Sequence, residues 1–443
     1  MGRKRKSGEL TVALNGRVVG RLARAADGAT RFDYAQDWLD WEYAIPVSRS
    51  MPLVDRPFTG LAVRAVFDNL LPDDDRIRAR IAARVGADGT DAFSMLAALG
   101  RDCVGALQFL PEDMPPAPPG PPEGEPITAE AIAERIRSLS VAPLGMRGGD
   151  DAFRISLAGA QDKTALLYHK GTWLVPIGTT PTTHILKPQI GMVQTPDGEV
   201  DLTDSVQNEH VCMALCRALG LDVAPTEILD LDDDLLVLSI ERFDRRLDSK
   251  GRLLRLPQED MCQALGILPT GKYESHGGPG IGDCLDLLKS SDHPDADRRA
   301  FMKAQIVFWL IGATDGHAKN FSLSLEPQGR FQLTPLYDIL STQWQHDRRQ
   351  IPRNAFRLAM AIGDKRRYKV TEIAPRHFEQ TAKLAGFPID ALHEVMAEIV
   401  SELPRASEAL TDQLDARVPA AMAEAIMAAA NTRAKQVEAY LDG

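Results

Sequence analysis

The stretch FWLIGATDGHAKNFSLSL, residues 308–325, sets an Asp, a His, a Lys and an Asn within six residues, Asp315 to Asn320, between an apolar helix-like run and an alternating strand-like run. Two ordinary readings present themselves. Asp315 and His317 have the chemistry of metal ligands, but no third and fourth ligand stands nearby at a recognised spacing. A polar turn closing the preceding helix, with Asp and Asn side chains bonded to the local backbone, accounts for the residues taken alone. The neighbouring segments decide between these readings and a catalytic one.

The chain has 443 residues, more than one ordinary core holds, so two or three domains are expected. Hydrophobic residues make up 44% and charged residues 26%, a globular balance, and no long uncharged apolar run suggests a membrane span. The opening MGRKRKSGEL is basic with no apolar stretch behind it, which is not a secretory signal, so a cytoplasmic protein is expected. Cys103, Cys212, Cys216, Cys262 and Cys284 are scattered without C-x-x-C spacing and read as buried free thiols. A net charge of −11 argues against the chain alone coating a polyphosphate backbone. The local basic run GDKRRYKV, residues 363–370, reads first as a solvated charge run.

Along the chain, LTVALNGRVVGRLAR alternates apolar residues around Asn15-Gly16, a two-residue hairpin signal, and helical patterns follow from Leu61 to Leu99. A proline-rich stretch at 111–126 breaks the pattern and reads as a stiff linker or surface excursion. The region 151–243 reads as strands with one inserted helix, SVQNEHVCMALCRALG, with Ser205 as N-cap, Val211, Ala214, Leu215 and Ala218 on one face, and Gly220 as its stop. A hairpin across Asp232 to Asp234 follows. From about Pro257 onward the pattern is mainly helical, the exception being a second hairpin, FSLSLEPQGRFQLTPLYD, directly after the opening cluster.

Asp315 and Asn320 stand in the D-x-x-x-x-N relation of a kinase catalytic loop, in which Asp accepts the substrate hydroxyl proton and Asn holds magnesium. The hairpin then brings the chain to Asp338, where kinases place a second magnesium-binding carboxylate. Magnesium is a hard cation that takes oxygen ligands, and one Asp cannot serve as both base and ligand. Upstream, Ala158, Gly159 and Ala160 form a small-residue turn able to approach phosphate, although such turns are mostly structural and this one is neither G-x-G-x-x-G nor a Walker A loop. Lys187 ends a strand and Glu209 lies in the next helix, the lysine–glutamate relation by which kinases hold the α- and β-phosphates. In IERF, Glu241 and Phe243 offer backbone hydrogen bonds to adenine. The rival glycine-rich stretch HGGPGIGD, residues 276–283, lacks a G-K-[ST] ending and reads as a loop.

The segments AFRISLAGAQDKTALL (152–167), TPTTHILKP (180–188), ERFDRR (241–246), LPQEDMCQALG (256–266), YESHGGPGI (273–281), IGATDGHAKNFS (311–322) and LTPLYDI (333–339) together resemble the HipA-type serine/threonine kinase toxins of bacterial type II toxin–antitoxin pairs. The resemblance implies an α+β, protein-kinase-like bilobal fold, with a mixed α/β N-lobe and a mainly helical C-lobe, preceded by a small α/β N-terminal domain. Its implied divisions are an N-terminal domain at 1–110, a Pro-rich linker at 111–126, an N-lobe at 127–245 and a C-lobe at 246–443. It makes Asp315 the catalytic residue and Asn320 and Asp338 the Mg2+ residues. Glu209 positions Lys187. ATP contacts are implied for Ala158, Gly159, Ala160, Gln161, Asp162, Lys163, Lys187, Glu241, Arg242, Phe243, His317, Ala318, Lys319, Asn320, Tyr337 and Asp338. Ser156 matches the serine that members autophosphorylate to switch themselves off. The implied substrate is an aminoacyl-tRNA synthetase, most often the glutamyl enzyme. The implied partners are a HipB-type helix-turn-helix antitoxin and, mainly through it, operator DNA, with no membrane. A catalytically idle kinase fold acting as a DNA-binding co-repressor is the rival reading. The joint presence of Lys187, Asp315, Asn320 and Asp338 favours the enzyme, and a metal-dependent hydrolase stands third.

Overall fold

A computed structural model describes residues 8–140, 157–158, 161–195, 198–232, 234–412 and 414–443. Asn15 and Gly16 have φ values of 45° and 84°, the left-handed pair a two-residue hairpin requires, and they join Gly8–Leu14 to Arg17–Arg24 in antiparallel register. These strands lie in a five-stranded sheet ordered Phe58–Thr59, Thr30–Tyr34, Arg17–Arg24, Gly8–Leu14, Leu107–Leu110. Period-2 alternation buries Leu10, Val12 and Leu14 together. Helices Leu61–Asp68, Asp75–Val85 and Ala92–Leu99 add Phe67, Ile81 and Leu96 to the same core, which extends to Leu157 and Ala165.

A second, six-stranded sheet has Leu235–Glu241, His184–Pro188 and Thr164–His169 among its strands, in that spatial order. Lys187 stands opposite Leu238, and Leu186 opposite both Ser239 and Thr164. The proline-rich segment does not remain a free linker to its end, since Gly124–Pro126 pairs with Thr172–Pro176 as an edge strand of this sheet. Helix Ala129–Arg137 sets Ile132 and Ile136 against Leu166, Leu186 and Val237 in a second core.

Compactness divides the chain differently from chain order. One unit takes the chain up to Pro188 with Leu229–Thr270 and Leu323–Phe331, and the other takes Gln189–Ile228, Gly271–Ser322 and Gln332–Gly443. The second unit is mainly helical. Its helix Pro294–Ile311 is buried along most of its length and packs with Ile389–Asp412 and Ala420–Leu441. Arg299 pairs with Glu394 and Glu398 along this packing, at 2.9 and 2.5 Å.

Several local expectations are corrected. Helix Ser205–Ala218 has Asp204, not Ser205, as N-cap, and Ser205 Oγ instead accepts the Ile190 N–H at 2.9 Å. Ala218 is exposed, and Cys212, Met213 and Cys216 are buried, because this helix is covered on more than one face. Arg357–Ile362 and Arg367–Lys369 form an antiparallel hairpin where helix was expected. The basic run lies in its turn and return strand, and its charges pair locally: Arg366 with Glu274, Arg367 with Asp364, Lys369 with Glu372. Residues 281–283 of the glycine-rich stretch begin helix Ile281–Leu288 rather than continuing a loop. All five cysteines are buried and free. No helix among the described residues is long and apolar enough to cross a membrane.

Candidate active site

Helix Pro294–Ile311 ends at Gly312, whose φ of 67° turns the chain into the DGHAKN loop. The loop closes on itself. His317 N–H donates to Asp315 O at 2.8 Å, Asn320 N–H donates to His317 O at 2.9 Å, and the Asn320 Nδ2 donates to Asp315 O at 2.8 Å. The Asp315 carboxylate is left pointing outward, its side chain 59% exposed. Because the amide nitrogen of Asn320 is engaged in the loop, its carbonyl oxygen is the atom it offers to a ligand. Ala318, Lys319 and Asn320 form a buried 3-10 turn.

His317 is 3% exposed, with Nε2 3.8 Å from Asp315 Oδ1. Burial pushes its pKa below the ordinary value against the opposing pull of Asp315 and Asp338. Among the described residues, no group of three or more His, Cys, Asp or Glu side chains could hold a metal, so a closed His317–Asp315 metal centre has no ligand set. The oxygens of Asn320 and Asp338 are the hard donors that magnesium takes when phosphates and water complete its shell.

Asp338 has a φ of 59°, a left-handed conformation that costs a non-glycine residue about 1–3 kcal/mol when the surroundings impose it. The surroundings do so at several points. Tyr337 Oη donates to Lys319 O at 2.9 Å and accepts from Ser322 Oγ at 2.6 Å, which fastens this segment to the DGHAKN loop. Leu336 N–H donates to Asp222 O at 2.8 Å, and Ala224 N–H donates to Leu336 O at 2.9 Å. Ser341 N–H donates to Asn208 Oδ1 and Ser341 O accepts from Asn208 Nδ2, both at 2.9 Å. Asn208 is fully buried and precedes Glu209, itself 3% exposed. The helix carrying Glu209 is thus locked to the segment carrying Asp338. Tyr337, expected as an ATP contact, has its hydroxyl committed to this fastening.

The remaining predicted residues belong to the other unit. Lys187 is 5% exposed on its strand. Lys163 Nζ donates to Ala158 O at 2.7 Å, Gln161 Nε2 donates to Pro188 O at 2.9 Å, and Asp162 pairs with Arg80 at 3.0 Å. Ser156, Gly159 and Ala160 lie outside the described residues. Glu241 is exposed opposite His184, and Phe243 is half-buried. Arg242, expected at the nucleotide, turns its guanidinium inward instead. It donates to Asp244 Oδ1 at 3.0 Å, Thr182 Oγ1 at 2.9 Å and Cys103 O at 2.8 Å. Arg245 and Arg255 join the same cluster through Asp102, at 2.8 and 3.4 Å. Burial works to raise the Asp102 carboxyl, but Arg245, Arg242 and Arg255 overcome it and hold it well below the usual carboxylate range. An ion cluster that deep binds the protein to itself, not to a ligand.

Sequence reasoning missed Tyr273. Its hydroxyl donates to Asp315 Oδ1 at 2.6 Å, and its ring meets His317 edge-on with centroids 4.9 Å apart. The only signal was its place at the head of YESHGGPGI, a segment read for its glycines.

Two family profiles match the chain. A profile described as HipA-like C-terminal domain matches residues 155–407, and one described as HipA N-terminal domain matches residues 10–110. The chain belongs to the HipA family. Y4mE of Sinorhizobium fredii (strain NGR234) is 35% identical over 93% of this chain and 94% of its own length. The serine/threonine-protein kinase toxin HipA of Shewanella oneidensis MR-1 is 29% identical over 94% of this chain and 89% of its own. The solved complex of Shewanella oneidensis HipA with HipB and operator DNA superposes with a TM-score of 0.78, at 24% identity and 98% coverage of each chain. At that identity the likeness speaks for the fold, which is the α+β, kinase-like fold of HipA. Asp315, Asn320, Asp338 and Tyr273 of this HipA-family chain all fall within its C-terminal match.

Proposed function

We propose that this HipA-family chain is an ATP- and Mg2+-dependent serine/threonine kinase and the toxin of a type II toxin–antitoxin pair. The observation that carries the reading is the exposed Asp315 on a loop closed by Asn320, with Tyr337 tying that loop to a strained Asp338. Strain of this kind clusters at working sites, which favours the enzyme over an idle co-repressor fold. Asp315 accepts the proton of a substrate serine or threonine hydroxyl as that oxygen bonds to the γ-phosphorus and the bond to the β–γ bridging oxygen breaks, releasing ADP. Asn320 Oδ1 and the Asp338 carboxylate hold Mg2+. Lys187, with residues 158–163, is assigned to the ATP phosphates. The backbone of Glu241 and Phe243 receives adenine. When bound, Mg2+ and ATP supply the phosphoryl group and the cationic charge that neutralises it.

The proposed substrate is an aminoacyl-tRNA synthetase, the glutamyl enzyme first, whose loss stops translation and produces growth arrest and persistence. The proposed partner is a HipB-type antitoxin that carries the complex to its operator in the cytoplasm, where it represses its own genes. Ser156 is proposed as the autophosphorylation site, because a phosphate of about −1.5 to −2 charge beside a phosphate-binding turn repels ATP.

Asp315→Gln tests the assignment. Phosphoryl transfer should fall by about 10²–10⁴-fold with ATP binding retained, since the base is lost and the phosphate cradle is not. Mass spectrometry after incubation with Mg2+ and ATP should find phosphate on Ser156 in the wild type and none in the variant. Wild-type turnover by Asp315→Gln would refute the kinase mechanism.

A further inference from the structure

We infer that Tyr273 is a positioning residue for Asp315, a role that rests on the kinase reading above. An aspartate side chain 59% exposed at a loop tip has rotamer freedom that a general base must lose before it can act. The Tyr273 hydroxyl removes that freedom by donating to Oδ1 at 2.6 Å. A charge-assisted bond of this kind is stronger than a neutral one. Among the described residues no hydrogen bond is made to Oδ2, so this oxygen is the one presented to the acceptor hydroxyl. His317 fixes the other end of the arrangement. Its buried ring meets the Tyr273 ring at 86° and 4.9 Å, so the phenol cannot swing away from Asp315 without losing an aromatic contact.

The glycine-rich stretch that follows Tyr273 supplies its rigid mounting. Both His276 N–H and Gly278 N–H donate to Tyr273 O at 3.0 Å, which folds the segment back on the tyrosine's own backbone. A Cβ at position 278 would stand 2.0 Å from Gly271 O and 2.8 Å from Tyr273 O, so only glycine permits this closure. A Cβ at position 280 would stand 2.7 Å from the Glu274 carboxyl carbon. That carboxylate anchors the segment to the neighbouring hairpin, accepting from Ala361 N–H at 2.5 Å and pairing with Arg366 at 3.1 Å. The glycines therefore hold a side chain against the catalytic loop instead of cradling phosphate.

Tyr273→Phe deletes one oxygen and keeps the ring, so it separates positioning from packing. With Mg2+, ATP and glutamyl-tRNA synthetase as acceptor, kcat should fall by about 10- to 100-fold, the worth of one hydrogen bond to a charged group. The KM for ATP, the calorimetric affinity for ATP and the melting temperature of the free protein should stay at wild-type values. Wild-type kcat in Tyr273→Phe overturns the inference. So does a loss of kcat matched by a lower melting temperature and weaker ATP binding, which marks a merely structural tyrosine. Phosphate incorporation into the chain itself provides the same comparison if the synthetase is not the acceptor. An active Asp315→Gln sinks the kinase reading, whereas an inactive Asp315→Gln beside a fully active Tyr273→Phe sinks only the positioning role.

Discussion

Asp338 shows how far a single residue can be read from each direction. Its place after a hairpin marked it as a magnesium ligand, but its φ of 59° and the bonds of Tyr337 that hold the segment are visible only in the fold. Asn tolerates the left-handed region about as well as Asp, so Asp338→Asn isolates the charge from the conformation. The variant should keep its melting temperature and lose most of the gain in ATP affinity that Mg2+ confers, with partial recovery of activity at high metal concentration. Calorimetry with and without Mg2+ measures this directly. An undiminished Mg2+ effect on ATP binding would remove Asp338 from the metal site.

At the scale of elements, the helix Ser205–Ala218 does more than carry Glu209. Through Asn208 it holds both backbone groups of Ser341, and Ser341 Oγ in turn donates to Ile311 O at 2.5 Å, at the end of the helix that leads into the DGHAKN loop. Asn208→Ala leaves a buried N–H and C=O without partners, which should cost roughly 2–4 kcal/mol. A urea titration should show the midpoint falling accordingly. An Asn208→Ala midpoint equal to wild type would show that the clamp carries no stability. The Asn15-Gly16 hairpin was legible because turn chemistry is confined to two residues. The cap at Asp204 was misplaced because Asp204 and Ser205 are adjacent and both are good cap formers. The strand Arg357–Ile362 was missed because RLAMAI is an apolar run whose period does not separate helix from strand.

At the scale of the whole molecule, the buried cluster of Asp102, Asp244, Arg242, Arg245 and Arg255 ties residues far apart in the chain into one compact unit. Burial tends to raise the carboxyls of Asp102 and Asp244, yet the arginines hold both below their usual values. Carboxyls depressed in the folded state contribute stability that is full above the unfolded value near about pH 4 and is lost as pH falls through the folded values. Asp102→Asn should therefore destabilise the protein by about 3–5 kcal/mol at pH 7, because the arginines remain buried with a partner gone. The difference between variant and wild type should shrink as the pH is lowered below about 4. Thermal denaturation across pH 2–8 tests this, and a gap that widens on acidification would exclude it.

The sequence by itself determined the residue types within short windows: the Asp315–Asn320 spacing, the strand lysine at 187, the hairpin turn and the buried thiols. These are set by hydrogen bonding and periodicity over a few residues, and they carry the family resemblance. Only the tertiary structure decided that Tyr273 reaches Asp315 across 42 residues, that Arg242 pairs with Asp102 across 140, and that Asn208 clamps Ser341 across 133. Such contacts depend on which segments the packed core brings together, and a phenol, a guanidinium or an amide has no local partner that would reveal its eventual one.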